Sequence, residues 1–444
     1  MADFLEQIAQ FRDNVAIICE DKTYTYATLL QEIQNKKQTL HSIPQGSVVA
    51  ILGDYSPLYF AYFFALYSKK CIICPLLTKN IDFDLSEFGI EFILDKTQIQ
   101  TLNSKKYALL EKLKTDKSSG LILFSSGSTG KPKAIVHNLE SFLKFYCDKK
   151  YNPLRILSVY LPDHIAGIDV MLNALAGGGT LIIPKQRQPQ YILSALEQHK
   201  IEILPASPTL LRLLLLSEYK KYALDALKLV IYGSEAMSET LLESLQQALP
   251  HVKFKQSFGT SETSAIKTKS HPSKKGFFKI LNPYKIINNE LYLKSKTQTL
   301  GYLNADNSAF DNEGYFATGD LVEIMQSDGE EYLKILGRSK EMINVGGEKV
   351  LPQEVENVIL EIPCVKDCLV YGESSAIMGQ SVSVKVVLDT KIALSNLELK
   401  KQIRSFCKDK LATFKIPTKV EIVESLAMSK RFKKLRNIIG GGGG

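Results

Sequence analysis

Between Leu123 and Asn138 the chain reads LFSSGSTGKPKAIVHN. Ser125, Ser126, Gly127, Ser128, Thr129, Gly130, Lys131 and Lys133 are residue types that handle phosphate. Glycine turns the backbone through angles that other residues avoid. Hydroxyls and backbone N–H groups in such a loop line an anion-binding concavity, and lysines add positive charge. Apolar runs bound the loop: Gly120–Phe124 reads as a short buried strand, and Ala134–Val136 is a second such run. The common mononucleotide loop is a different pattern, with Gly in place of Ser125 and Ser or Thr in place of Pro132. Pro132 has no N–H to offer a phosphate and resists starting a helix in the register that motif requires. A Ser/Gly-rich surface turn has the same composition, so the reading rests on what else the chain supplies.

It supplies four further groups. Leu161-Pro-Asp163-His164-Ile-Ala-Gly167 leaves a strand and opens an apolar helix, and Ile231-Tyr232-Gly233-Ser234-Glu235 ends another strand in a glycine turn. Ser257-Phe258-Gly259-Thr260-Ser261-Glu262 and Tyr315-Phe-Ala-Thr318-Gly319-Asp320 follow, with Gly337-Arg338 eighteen residues beyond Asp320. In this order they resemble the motifs of the adenylate-forming superfamily of acyl-CoA synthetases, nonribosomal adenylation domains and firefly-type luciferases. The resemblance covers nearly the whole chain.

The resemblance implies roles. The 125–133 loop closes on the β- and γ-phosphates of ATP, and Gly233, Ser234 and Glu235 pack against adenine and the acyl chain. Phe258 and Gly259 meet adenine, Ser261 approaches the phosphates, and Glu262 carries Mg²⁺, which takes one or two carboxylates plus phosphate oxygens. Asp320 and Arg338 reach the ribose, whose vicinal hydroxyls suit a carboxylate acceptor. His164 lines the acyl pocket at a point where amino-acid-activating relatives keep an aspartate, which favours a plain carboxylic acid. Lys340 stands at the hinge about which the small domain rotates between half-reactions. Val345 to Glu356 turns toward the tunnel of the thiol acceptor.

The family's C-terminal motif, LPxTxxGKIxRxxL, laid without gaps on Leu426 to Ile439 puts Lys433 at the catalytic lysine. Ser429, Arg436 and Ile439 then match as well, whereas Lys430 or Lys434 would break the register. Two departures stand out. Asn289 replaces the usual glycine before Glu290-Leu291, and no glycine precedes the catalytic lysine.

Elements must position these groups. Strand–helix alternation from Val15 to Tyr232 predicts parallel sheets with crossover helices. The aromatic run Tyr59–Tyr67 reads as core rather than as a cofactor site. From Ile280 shorter alternating segments predict an antiparallel part, with Ser327-Asp328-Gly329 as a hairpin turn. After Gly337 the pattern returns to βαβ, with a helix over 352–359, strands at 368–371 and 381–388 and a helix over 395–411.

A chain of 444 residues exceeds one compact core. The expected fold class is α/β: a large N-terminal domain over 1–337 containing a small β-barrel-like part, and a mobile α+β domain over 338–439. A flexible Gly tail over 440–444 follows. The net charge of +8 is spread through structured segments near the C-terminus, which predicts a solvated basic face or attraction to phosphates and no nucleic-acid partner. Seven scattered cysteines predict a reducing, cytoplasmic setting, and Cys71-Ile-Ile-Cys74 reads as buried strand residues. Neither a secretory signal nor a membrane span is expected.

The function expected is ATP-dependent activation of a small carboxylic acid as acyl-AMP, with release of pyrophosphate and transfer to coenzyme A. The cofactors are ATP, Mg²⁺ and coenzyme A. A carrier-protein phosphopantetheine, with an acyl carrier protein as partner, is the alternative acceptor. A degenerate nucleotide-binding interaction protein is the alternative from another class.

Overall fold

The computed structural model describes residues 3–78, 83–125, 132–147, 149–389 and 394–427. Two seven-stranded sheets make up most of the large domain. The first runs, edge to edge, through Lys253–Gln256, Leu229–Tyr232, Ile203–Ala206, Arg155–Leu157, Thr180–Ile183, Val15–Cys19 and Lys22–Thr25. Its neighbours are parallel until the last pair, an antiparallel hairpin. The second holds Gly120–Ser125, Ile72–Leu76, Val48–Leu52 and Phe92–Asp95 in parallel, with antiparallel strands at both ends.

Between the sheets lies the largest apolar core, with the Pro57–Ser68 helix inside it. This helix is apolar on every side, as a fully buried helix must be. All of Tyr59 to Tyr67 is buried, as the aromatic run predicts. Its start is fixed by the Ser56 side chain, which accepts from the Tyr59 N–H, and by Pro57 at the first helical position. Cys74 is buried on the next strand, Ile72–Leu76, and Cys71 is buried just before it. Burial pushes the Cys71 thiol up to about 11, so it stays protonated and inert.

The chain leaving the phosphate loop does not start a helix. Lys133–Asn138 runs back antiparallel beside Gly120–Ser125, with Ser125 opposite Lys133. The parallel alternation expected from the sequence breaks here because an apolar run looks the same in either direction. A helix, Leu139–Cys147, begins only after this strand.

The antiparallel part is a six-stranded sheet. Its order is Thr268–Ser270, Phe278–Ile280, Glu330–Arg338, Phe316–Ser327, Glu290–Leu293 and Tyr284–Ile287. Asp328 and Gly329, with φ of 52° and 74°, form the two-residue turn its long hairpin requires. Asn288 and Asn289 do the same at φ of 50° and 62°. Asparagine tolerates this left-handed region, so the departure from glycine at 289 keeps the turn.

The small domain is a five-stranded sheet with the helices Pro352–Ile359 and Asn396–Cys407 packed on a valine-rich core. Val365–Ser375 and Gly379–Leu388 form one long antiparallel hairpin. The expected βαβ pattern holds only from Gly379–Leu388 through the Asn396–Cys407 helix to Lys419–Ile422, which pairs in parallel. Among the described residues no helix is long and apolar enough to cross a membrane.

Candidate active site

Glu262 sits at the tip of a hairpin. Phe258–Thr260 pairs antiparallel with Ser264–Ile266, and the connecting residues are held by Thr260, whose Oγ1 accepts from the Glu262 and Thr263 N–H groups at 3.2 and 3.1 Å. Such hydroxyl-to-backbone bonds stabilise tight turns. Gly259 lies where the two strands almost touch: a Cβ there would stand 2.2 Å from the Ser264 carbonyl oxygen. The hairpin packs on the six-stranded sheet through Phe258 and Ile266, which share a core with Phe278, Leu291 and Val322. The Phe258 ring is tilted against Phe278 at 5.7 Å between centroids.

Three contacts fix the tip. The His137 imidazole donates from Nε2 to the Ser261 carbonyl at 2.9 Å, the Thr299 N–H donates to the Glu262 carbonyl at 2.7 Å, and the Tyr302 hydroxyl donates to Glu262 Oε1 at 2.9 Å. His137 is fully buried, and burial pulls its pKa down to about 4, against the pull of backbone hydrogen bonds at Ser261 and Thr297. It is therefore a neutral donor. Burial, then the charge of Glu262, raises the Tyr302 phenol, which keeps its proton. The Lys133 ammonium lies 5.0 Å from the centre of the Tyr302 ring. Thus Lys133, next to the phosphate loop, and Glu262 meet on one tyrosine.

The carboxylate of Glu262 fits a magnesium site. A carboxylate offers about four acceptor positions, and the Tyr302 hydroxyl takes one. Among the described residues no group of three or more His, Cys, Asp or Glu converges as a metal cage. One fixed carboxylate completed by substrate phosphates is the usual manner of holding Mg²⁺.

A second cluster forms where strands of the first sheet end. Gly233 is pressed on the residue that follows the next strand, for a Cβ there would lie 2.6 Å from the Ser257 carbonyl oxygen. Ser234 follows in the left-handed region at φ 69°. Its hydroxyl is hydrogen-bonded to Tyr160, whose phenol is raised mainly by burial. The Tyr160 ring stacks on His164 at 6.3 Å. His164 caps the Ile165–Ala176 helix, its Nδ1 accepting from the Ala166 N–H at 3.1 Å. This fixes the tautomer, with the proton on Nε2. Gly167 lets that helix press on the Leu161 backbone. Glu235 is tied to the neighbouring helix: its Oε2 accepts from Thr209 Oγ1 at 2.7 Å, in the first turn of Pro208–Leu216, where a negative charge is favoured.

Asp320 and Arg338 form the third group. They stand opposite each other on adjacent strands, with Arg338 Nε 3.1 Å from Asp320 Oδ1. Asp320 is 4% exposed, and burial raises its pKa while Arg338 pulls it back. The Thr318 hydroxyl accepts from the Asp320 N–H at 3.0 Å and donates to the Leu291 carbonyl at 2.7 Å, which locks the bend at Gly319.

The structure thus joins Lys133, Ser261 and Glu262, groups His164 with Ser234, and pairs Asp320 with Arg338. Lys340 is exposed in the short Ser339–Glu341 turn leading to the small-domain sheet. Ser126 to Lys131, Lys430, Lys433 and Lys434 lie outside the described residues. Tyr302, His137 and Tyr160 were not singled out by sequence. A histidine after Ala134-Ile-Val136 reads as a core residue, and Gly301-Tyr302 carries no polar signature.

Two family models match the chain: "AMP-binding enzyme" over residues 111–290 and "AMP-binding enzyme C-terminal domain" over 354–433. The chain is 30% identical to the 2-succinylbenzoate–CoA ligase of Staphylococcus aureus (strain MSSA476), over 71% of this chain and 65% of that one. The match therefore spans just under two thirds of that relative's length. Identity to the Bacillus subtilis (strain 168) 2-succinylbenzoate–CoA ligase is 25%, over 98% of this chain and 96% of that one. The solved o-succinylbenzoate CoA synthetase of Bacillus subtilis, in complex with its acyl-adenylate intermediate, superposes with a TM-score of 0.80. It covers 99% of this chain and 98% of that one at 23% identity, a likeness of fold. With both family models in chain order and this fold around the Glu262 hairpin, the chain belongs to the adenylate-forming, AMP-binding enzyme superfamily.

Proposed function

We propose that the protein is an AMP-forming acid–thiol ligase, which converts a carboxylic acid and ATP to acyl-AMP and pyrophosphate and passes the acyl group to coenzyme A. The observation that carries this reading is the Lys133–Tyr302–Glu262 arrangement beside the phosphate loop. It supplies a cation and a metal-type carboxylate where a triphosphate would lie. The names of the relatives make 2-succinylbenzoate the first carboxylate to test.

Each residue then has a task in the first half-reaction. Lys133 and the loop residues Ser125 to Lys131 hold the β- and γ-phosphates. Glu262 presents its carboxylate to Mg²⁺, which when bound draws charge from the phosphate oxygens. Asp320 accepts from the ribose hydroxyls, and Arg338 beside it favours the ionised form against the effect of burial. Phe258, Gly259, Gly233 and Ser234 bound the adenine and acyl chain, and His164, fixed by its cap bond, lines the acyl pocket. Lys433 reaches carboxylate and α-phosphate as charge shifts between them. Positioning and fixed charge, rather than covalent catalysis, lower the barrier. For the second half-reaction the small domain, from residue 338, turns about Lys340.

The test is product analysis. Incubation with ATP, Mg²⁺, 2-succinylbenzoate and coenzyme A should give AMP, pyrophosphate and an acyl-CoA. ADP as nucleotide product would end the assignment. Acylation of a phosphopantetheinylated carrier protein in place of coenzyme A would change the acceptor alone, and a panel of other carboxylates decides the acid. Lys433→Ala should abolish adenylate formation and spare thioester formation from added acyl-adenylate. If Lys430→Ala does so instead, the register is wrong by three residues.

A further inference from the structure

Six residues that no motif reading assigns, Thr299 to Asn304, tie the phosphate loop to Glu262. On one side they hold the strand that leaves the loop. Leu300 N–H and Thr299 Oγ1 both donate to the Val136 carbonyl, at 2.7 and 2.6 Å, and Gly301 and Tyr302 pair with Val136 and Ile135. The Leu303 N–H donates to the Ala134 carbonyl at 3.0 Å. The Asn304 side chain closes a ring at the loop's exit, donating to the Pro132 carbonyl at 2.8 Å and accepting from the Ala134 N–H at 2.9 Å. On the other side Thr299 N–H holds the Glu262 carbonyl and the Tyr302 hydroxyl holds its carboxylate. The Lys133 ammonium rests over the same Tyr302 ring.

We propose that this segment is a clamp setting the distance between phosphate loop and metal carboxylate, and that Tyr302 is the positioning residue for Glu262. A glutamate side chain has several rotamers, and an unheld carboxylate would spend part of its time away from the metal. The phenol selects one. Because the same ring carries Lys133, loop cation and metal carboxylate are placed by a single side chain rather than independently. The proposal rests on the reading of Glu262 as the magnesium carboxylate.

The two functions of Tyr302 separate by substitution, since Tyr302→Phe keeps the ring under Lys133 and removes only the hydroxyl. The experiment measures Mn²⁺ binding by electron paramagnetic resonance in full-length protein saturated with α,β-methylene-ATP, which cannot transfer its adenylyl group. Tyr302→Phe should weaken Mn²⁺ binding about tenfold, the scale of one hydrogen bond to a charged group. Affinity for the analogue in EDTA should stay unchanged. The Mg²⁺ concentration for half-maximal pyrophosphate exchange should rise by the same factor. Unchanged Mn²⁺ affinity in Tyr302→Phe, with loss in Glu262→Gln, overturns the positioning role and leaves the reading of Glu262 standing. Unchanged affinity in Glu262→Gln overturns both. The other arm of the clamp is tested without touching Tyr302: Asn304→Ala should weaken analogue binding in EDTA several-fold by freeing the loop exit. An Asn304→Ala protein with wild-type analogue affinity overturns the clamp, even if Tyr302→Phe fails to fold.

Discussion

Asp320 shows how one buried charge can set a pH limit on binding. Its pKa is raised by burial, with Arg338 pulling the other way, so it takes up a proton at a higher pH than an ordinary carboxylate. For a raised carboxyl the sign is fixed: protonation favours the folded state, and its cost to stability grows as pH rises through the folded pKa. Binding has the opposite sense, because the ribose needs the ionised acceptor. ATP-analogue affinity should therefore fall as pH drops through the range where Asp320 takes up its proton, a range displaced upward from that of an ordinary carboxylate. In Asp320→Asn affinity should be about tenfold lower at neutral pH and flat across that range, as equilibrium titration of the analogue can check. A wild-type profile in the variant would remove Asp320 from the ribose role. His137 gives a stability counterpart. Its pKa falls from about 6.5 in an exposed imidazole to about 4 here, mainly through burial. Its contribution is complete above pH 6.5 and is lost as pH falls toward 4, for a total of about 3 kcal/mol. Urea unfolding of His137→Gln and wild type should converge as pH drops through that window; parallel curves would mean that His137 is not the titrating group. Asp320 and Arg338 were both legible as site residues, but their partnership was not. The Asp328-Gly329 turn alone would set Asp320 opposite Gly337; a bulge between Leu321 and Val322 shifts the register by one and brings Arg338 across. Nothing in residue types or spacing announces that bulge.

At the scale of elements, the hairpin carrying Glu262 depends on the absence of one side chain. Gly259 has ordinary backbone angles, so its reason is space: a Cβ would fall 2.2 Å from the Ser264 oxygen, closer than any real contact. Gly259→Ala must spread the two strands and move the tip that bears Ser261 and Glu262. Overpacking of this kind costs about 1–3 kcal/mol, so the protein should still fold while metal-dependent adenylate formation falls by orders of magnitude. Gly177→Ala serves as control, because its added Cβ would meet nothing nearer than 3.5 Å. Thermal unfolding and pyrophosphate exchange on both variants decide the matter, and a fully active Gly259→Ala would refute it. Most strands of the parallel sheets were legible because long apolar runs alternate with helical patterns. The return of the 133–138 strand beside 120–125 was not, since strand direction is set by the partner rather than by the run itself. The long small-domain hairpin was missed as a unit for a related reason. Its turn at residues 376–378, Ala-Ile-Met, lacks the usual turn residues, and only Gly379 at φ 71° marks the corner.

At the scale of the whole molecule, a contact between the domains is both charged and largely buried. Arg212, in the Pro208–Leu216 helix of the large domain, donates from Nη1 to the Lys366 carbonyl at 3.1 Å and lies 3.7 Å from Asp367 Oδ1. The side chains of Arg212 and Asp367 are 15% and 7% exposed, so this pair is largely shielded from water and salt. If the small domain turns between half-reactions, as proposed, the contact must break each cycle, and it biases the molecule toward the arrangement seen here. Arg212→Ala removes the bias without touching any residue given a chemical task. The rates of adenylate formation and of thioester formation from added acyl-adenylate should then move in opposite directions, by about tenfold between them for one buried charge-assisted hydrogen bond. Lys340→Pro probes the same rotation from the hinge. Proline disfavours the helical backbone of the residue before it, here Ser339 in the Ser339–Glu341 turn. Adenylate formation should persist in that variant while thioester formation collapses. Rapid-quench measurement of the two steps in both proteins separates the outcomes. Opposed changes in Arg212→Ala with a selective loss in Lys340→Pro support one rotating unit that turns at residue 340 and rests on Arg212. Equal loss of both steps in each variant would mean that these residues only hold the domains together.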